Sequence, residues 1–319
     1  MPLRNLGNSD LIVSAVGLGC NNFGRAGTAT ESQEVTNRVL NAAIDSGINF
    51  LDGADIYGKE YGYSEKLMGE VVKARRSEIV LATKFGHTEY ESPLDHLGPG
   101  GSRAYIRAAI EGSLERLQTD HIDLYYHHRP DPLVPVEETL EALNELIEEG
   151  RVTHIGHSNY SAEQAVHADT VAKRLGLRPF IASQNEYSLL ERAVEKEILP
   201  TVREIGLGFI PWFPLYNGLL TGKFDRSGGP AESRIMMIRR HLHENAPWDV
   251  LDAYAAFCEK RGITMLQATI GWMLDVPGLS SVIAGATSVE QVTANAAAAS
   301  AWRPSAEEFS EISELFSVG

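Results

Sequence analysis

The chain has 319 residues, 43% of them hydrophobic and 22% charged, values that suit a globular protein with a full core. Its 28 basic against 43 acidic residues leave a net charge of −15, which excludes a nucleic-acid or anionic-membrane surface, since both need clustered bases. Two cysteines, Cys20 and Cys258, lie far apart and without zinc spacing, so no disulfide framework is expected and a reducing cytoplasm is the simplest location. No N-terminal run reads as a signal peptide, and no apolar stretch approaches the roughly 18 residues of a membrane helix.

In chain order, Leu3–Leu11 (LRNLGNSDL) reads as a short hairpin through Gly7-Asn8, placed ahead of the main fold as a plug. Strand-like apolar runs then alternate with helical patterns. Val16–Cys20 precedes Glu31–Ser46, Asn49–Ala54 precedes Tyr63–Ala74, and Ile79–Lys84 precedes Ser102–Leu117. His121–His128 precedes Val136–Glu149, where apolar positions 136, 140, 143 and 147 form one face and glutamates solvate the other. Val152–Ser158 precedes Ser161–Leu175, and Phe180–Glu186 precedes Val194–Ile205. Leu207–Pro214 precedes helices near Trp248–Lys260 and Met265–Leu274, and Ser281–Gly285 precedes Ser288–Ser300.

Eight strand–helix pairs with continuous apolar strands predict a parallel sheet buried on both faces and closed as a (β/α)8 TIM barrel. An open doubly wound sheet is the rival, but Gly17–Gly24 (GLGCNNFG) matches its GxGxxG fingerprint poorly. Two loops, Phe85–Gly101 and Leu215–Ala246, exceed ordinary length and read as lids or specificity elements. A final extra helix, Ser305–Phe316, is expected outside the barrel. No internal boundary separates a second domain, so residues 1–319 read as one barrel domain.

Asp52, Lys84 and His128 each close a strand-like run, and Tyr57 follows Asp52 by five positions. Strand C-termini converge on one rim of a parallel barrel, so a carboxylate, a phenol, an ammonium and an imidazole would meet there. A free phenol titrates near pH 10. Lys84, held by Asp52, is expected to lower that value and ease proton release to a carbonyl oxygen, with His128 bonded to the same oxygen. Pairing also avoids the cost of a lone buried charge. His128 is expected inward and His127 outward, because neighbours on a strand face opposite sides. The bland readings are a structural Lys–Asp pair, a packing tyrosine and a core histidine. A metal centre built from His121, His127, His128, His154 and His157 is not expected, because the first strand lacks an HxH pair.

Taken together, Asn49–Gly58 (NFLDGADIYG), Leu81–Gly86 (LATKFG) and Ile122–Asp131 (IDLYYHHRPD) resemble the aldo-keto reductase superfamily over nearly the whole chain. Within that superfamily the chain resembles a bacterial branch close to the potassium-channel β-subunit-like reductases. The resemblance implies Tyr57 as general acid, Lys84 and Asp52 as its tuning pair, and His128 orienting the carbonyl. Gly53 stands where Thr is usual. It also implies a nicotinamide cofactor: Ser158, Asn159 and Gln184 on the carboxamide, and Trp212 stacked on the ring. Gly19, Cys20, Asn21, Asp52, Phe213, Pro214, Leu215, Tyr216 and Asn217 complete the implied lining, Phe213 replacing a usual Ser. Lys223 in Gly218–Lys223 (GLLTGK) and Arg234 look like contacts to a 2′-phosphate, which favours NADP(H) over NAD(H). Gly285, Ala286 and Thr287 lead into the adenosine helix, with Gln291 and Asn295 toward adenine and Ala294 in place of a common Glu. Thr287 and Glu290 have capping-box spacing, so Thr287 is the expected N-cap, and the free N–H groups of that helix end suit a phosphate.

The function these features predict is a cytoplasmic NADP(H)-dependent oxidoreductase acting on a small carbonyl compound or the corresponding alcohol or sugar. A nucleotide-occupied binding or sensing module with slow turnover is the alternative, and a metal-dependent barrel hydrolase stands third. Both monomer and homo-oligomer remain open.

Overall fold

The computed structural model describes residues 1–317. A hairpin, β1 (Leu3–Asn5) and β2 (Ile12–Ser14), leads into β3 (Val16–Gly19) and α1 (Gln33–Asp45). Then follow β4 (Phe50–Asp52), α2 (Tyr63–Arg75), β5 (Val80–Phe85), α3 (Arg103–Leu117), β6 (Ile122–His127), α4 (Val136–Glu148), β7 (Val152–Ser158) and α5 (Ala162–Leu175). The second half holds β8 (Ala182–Glu186), α6 (Ile198–Glu204), β9 (Gly208–Trp212), α7 (Arg234–Ile238), α8 (Arg240–Glu244), α9 (Trp248–Lys260) and α10 (Met265–Asp275). It ends with β10 (Val282–Gly285), α11 (Val289–Ala301) and α12 (Ala306–Leu315).

Strands β3 to β9 pair in sequence and β10 pairs with β3, all in parallel. A parallel bridge between Phe209 and Leu279 spans the remaining gap, making the (β/α)8 barrel. Two apolar layers follow from the alternation of side chains. Phe50, Ala82, Leu124, Tyr126, Ala182, Ile210 and Ile283 fill the interior, and Leu6 and Val13 of the hairpin join them. The hairpin thus closes the N-terminal end as a plug. Gly7, at φ +59°, allows this, because a Cβ there would lie 2.4 Å from the Gly208 nitrogen.

Three local expectations need correction. The helix expected at Val194–Ile205 splits into a single 3₁₀ turn, Ala193–Glu195, and the shorter α6. Glu197, at φ −133°, breaks the run, and Pro200 sits in the first turn of α6, where its missing N–H is harmless. The N-cap of α11 is Ser288, not Thr287: Ser288 is extended (φ −145°) and its hydroxyl accepts from the Gln291 N–H. Thr287 instead donates its N–H to the Gln291 side chain at 2.9 Å. The loop Leu215–Ala246 carries structure of its own, a 3₁₀ stretch at Tyr216–Thr221 followed by α7 and α8. Outside the barrel, α12 stacks Phe309 on Trp272 at 5.3 Å. Among the described residues, no helix is long and apolar enough to cross a membrane.

Candidate active site

Strands β4 and β5 run side by side with Asp52 in register with Ala82, so Lys84 projects past the end of β4. Its ammonium, fully buried, donates to Asp52 Oδ2 at 2.7 Å, to the Gly53 carbonyl at 2.8 Å and to the Tyr57 hydroxyl at 3.4 Å. Burial opposes the Lys84 charge, but Asp52 and Tyr57 more than offset it and hold the ammonium above its ordinary value. For Tyr57 the balance runs the other way from the expectation. Burial outweighs the pull of Lys84, and the phenol sits above its ordinary value. Gly53 is not forced by space, since a Cβ there would meet Ala82 O and Thr83 Oγ1 at 3.4 Å.

His128 lies just past β6, its ring edge-on to Tyr57 at 6.0 Å and to His87 at 4.6 Å. Burial, then the Lys84 charge, push its imidazole well below the usual range, so it is neutral. Its Nδ1 is buried without a partner. His87 accepts from Arg129 Nε at 3.3 Å and is pushed down to about 4 by burial. His127 faces outward, stacked on Phe85 and bonded to the Tyr160 hydroxyl at 2.8 Å.

The ends of β7, β8 and β9 form one polar chain. Ser158 Oγ donates to the Gln184 carbonyl at 2.8 Å, and Gln184 Nε2 donates to Asp52 Oδ1 at 3.2 Å. Asn159, left-handed at φ +61°, donates to Ser158 Oγ and to the His128 carbonyl, both at 3.0 Å, and accepts from Trp212 Nε1 at 3.2 Å. After Trp212 the backbone is strained: Phe213, Tyr216 and Asn217 all have positive φ (54°, 44° and 57°). Pro214 and Leu215 lie between them. Gly19 ends β3 beneath this rim and Cys20 follows it, with the Cys20 N–H on the Asp52 carbonyl at 2.9 Å. Burial pushes the Cys20 thiol far up, so it is not a nucleophile. Asn21 offers its carbonyl to Arg25.

Arg234 stands over the Phe213 ring at 5.2 Å, whereas Lys223 lies beside Phe224 at 5.4 Å with Glu232 as its acidic neighbour. At β10, Gly285 and Ala286 lead to the end of α11. Gln291 there is exposed and occupied by Thr287, and Asn295 is buried. Loop Phe85–Gly101 walls a cleft of about 420 Å³ with His87, Tyr90, Pro99 and Leu133. Among the described residues, no three His, Cys, Asp or Glu side chains gather as a metal site requires. Sequence reasoning missed His87, Arg25 and Arg239. For His87 the only signal was its place three residues after Lys84, and for the two arginines there was none.

The arrangement sets a phenol on a buried ammonium–carboxylate pair beside a neutral imidazole, at the mouth of a barrel with hydroxyl, amide and indole groups ready for a planar ligand. A family model described as "Aldo/keto reductase family" matches residues 15–316. The chain is 37% identical over 306 residues to a "Probable voltage-gated potassium channel subunit beta" of Oryza sativa subsp. japonica, covering 92% of this chain and 90% of that one. It is 36% identical over 303 residues to "Uncharacterized oxidoreductase YrpG" of Bacillus subtilis (strain 168), covering 92% and 89%. A "Probable voltage-gated potassium channel subunit beta" of Arabidopsis thaliana is 35% identical over 305 residues, covering 92% and 90%. By its barrel, its rim and these matches, the chain belongs to the aldo/keto reductase family.

Proposed function

We propose that the chain is an NADP(H)-dependent oxidoreductase interconverting an aldehyde or ketone and the corresponding alcohol or sugar, with Tyr57 as general acid and base. The observation that carries this reading is the Lys84 ammonium bridging Asp52, the Gly53 carbonyl and the Tyr57 hydroxyl. A purely structural ion pair has no need of a third, proton-bearing partner.

The donor set suits a nicotinamide cofactor. Trp212 is tethered by its indole edge to Asn159, leaving its ring face for stacking. Ser158, Asn159 and Gln184 supply hydroxyl and amide groups for a carboxamide, each exchanging one internal bond for the ligand. Lys223 and Arg234 are the cations proposed for a 2′-phosphate, the basis for preferring NADP(H) to NAD(H). When bound, the group supplies the hydride that the carbonyl carbon receives.

The chain's own residues handle the proton. Because Tyr57 sits above its ordinary value, it is fully protonated at neutral pH and can donate to the carbonyl oxygen. Lys84, charged and fixed by Asp52, stabilises the phenolate left behind. Neutral His128, with Nδ1 enclosed, turns Nε2 to the pocket and bonds the same oxygen. In the reverse direction the phenolate takes the alcohol proton.

The plant relatives are named as probable channel subunits, which lends weight to a second reading for this chain, a nucleotide-occupied binding or sensing module with slow turnover. Titrating the protein with NADPH and NADH by cofactor fluorescence, then adding para-nitrobenzaldehyde, separates the two. Tight NADPH binding followed by its consumption is expected. Binding without consumption would move the balance to the second reading, and binding of neither nucleotide would overturn both.

A further inference from the structure

Acids outnumber bases in this chain, and most arginines are neutralised by them: Arg75 by Asp45, Arg116 by Glu65, Arg261 by Glu308. One group departs from this pattern. Arg25, in the loop between β3 and α1, meets Arg234 of α7 and Arg239 just after it. Among the described residues none of the three makes an ion pair. The Arg25 and Arg234 Nε atoms are buried without a hydrogen-bond partner. Arg25 is anchored only by Nη2 on the Asn21 carbonyl at 3.1 Å. Arg234 and Arg239 both stand on the Phe213 ring, at 5.2 and 5.1 Å. The loop holding Arg25 touches α7, where a Cβ on Gly27 would lie 3.9 Å from Met237.

Three guanidinium groups so placed repel one another, and burial, then the neighbouring arginines, hold Arg25 and Arg234 below their ordinary values. An anion joining them would relieve that repulsion and satisfy the unpartnered Nε atoms. Glu186 lies near enough to Arg239 to feel its charge but does not pair with it, and Arg25 has no acidic neighbour of this kind.

The site faces the carbonyl end of the pocket. Phe213 packs edge-on against Trp212 at 4.9 Å, Trp212 bonds Asn159, and Asn159 bonds the carbonyl of His128. The Tyr57 and Tyr90 phenols act electrostatically on both Arg25 and Arg234.

The geometry points to an oxyanion subsite formed by Arg25 and Arg239, which receives a carboxylate or phosphate carried by the carbonyl substrate. This rests on the oxidoreductase reading above and narrows it to acidic aldehydes, ketones or sugar derivatives. Arg234, shared with the proposed cofactor phosphate, borders the subsite.

The test compares para-carboxybenzaldehyde with its neutral methyl ester, both as substrates with NADPH and as ligands of the NADP⁺-loaded protein by calorimetry. The acid is expected to be preferred by about tenfold or more in kcat/KM and in affinity, the scale of a charge-assisted hydrogen bond. Arg25→Gln and Arg239→Gln should each reduce that preference several-fold, and Arg25→Lys should restore part of it. Equal handling of acid and ester by the parent overturns the subsite while leaving the oxidoreductase reading intact. If Arg25→Gln weakens NADPH binding by about tenfold and leaves the acid-to-ester ratio unchanged, the anion is the cofactor's phosphate and the inference fails. Absence of turnover with both aldehydes would count against the oxidoreductase reading alone, because the calorimetric preference still decides the subsite.

Discussion

Asp52 and Asp55 stand close together at the end of β4, both buried, yet only Asp52 has a cation in contact with it. Asp52 faces the barrel interior, where Lys84 is at 2.7 Å and the Gln184 amide at 3.2 Å. Asp55 faces the layer between barrel and helices. There it accepts from the Tyr61 hydroxyl at 2.8 Å, its second oxygen has no partner, and Glu65 is its neighbour. The available cation, Arg116, is taken by Glu65 at 2.7 Å. Burial, then the like charge of Glu65, push the Asp55 carboxyl up to about 7. A carboxylate in contact with an ammonium fixes that ammonium in place, here within reach of the Tyr57 hydroxyl. One given only a phenol approaches neutrality and serves as a brace. Asp55 braces the Tyr57 turn through its backbone, which bonds the Lys84 carbonyl at 3.1 Å and the Gly62 N–H.

The largest effect should come from breaking the first pair. Lys84→Met leaves Asp52 buried without its cation, so unfolding free energy should fall by about 3–5 kcal/mol in urea melts. Carbonyl reduction should fall at least about a hundredfold. Unchanged stability would mean that Asp52 is not charged in the folded protein.

Breaking the second acid should act through pH. The folded carboxyl of Asp55 binds its proton up to about pH 7, whereas an unfolded one releases it at an ordinary value of 3.8. Within that window the folded state holds more protons, so stability is lost as pH rises through it and then levels. Asp55→Asn should remove this part of the decline, leaving the variant relatively more stable near pH 8 than near pH 5. Thermal melts that run parallel to those of the parent at every pH would place the Asp55 value elsewhere.

The smallest effect sharpens the contrast at Tyr57 itself. Because its phenol lies above the ordinary value, reduction should be nearly flat from about pH 6 to 9, while alcohol oxidation, which needs the phenolate, should climb throughout. A break near neutrality that survives in Asp55→Asn would contradict a neutral His128.

Much of this site was legible because an Asp, a Lys or a His ending an apolar strand is conspicuous, and a parallel barrel brings such ends together. The depth of burial was not. The sequence places an ammonium near Tyr57 but carries no record of the desolvation that outweighs it. At α11, Thr287–Glu290 and Ser288–Gln291 offer the same capping pattern one residue apart, and only the turn after β10 selects Ser288. His87, Arg25 and Arg239 lie in loops without periodicity, so their convergence depends on how two long segments fold across the rim.

Everything proposed for the rim turns on Tyr57, held by Lys84 and Asp52, handing the proton to the substrate. Single-turnover reduction of para-nitrobenzaldehyde by NADPH-loaded parent and Tyr57→Phe tests it directly. The expected result is a loss of about 10²–10⁴-fold in the chemical step with NADPH affinity within about twofold of the parent. A Tyr57→Phe protein that reduces the aldehyde at the parental rate would contradict it.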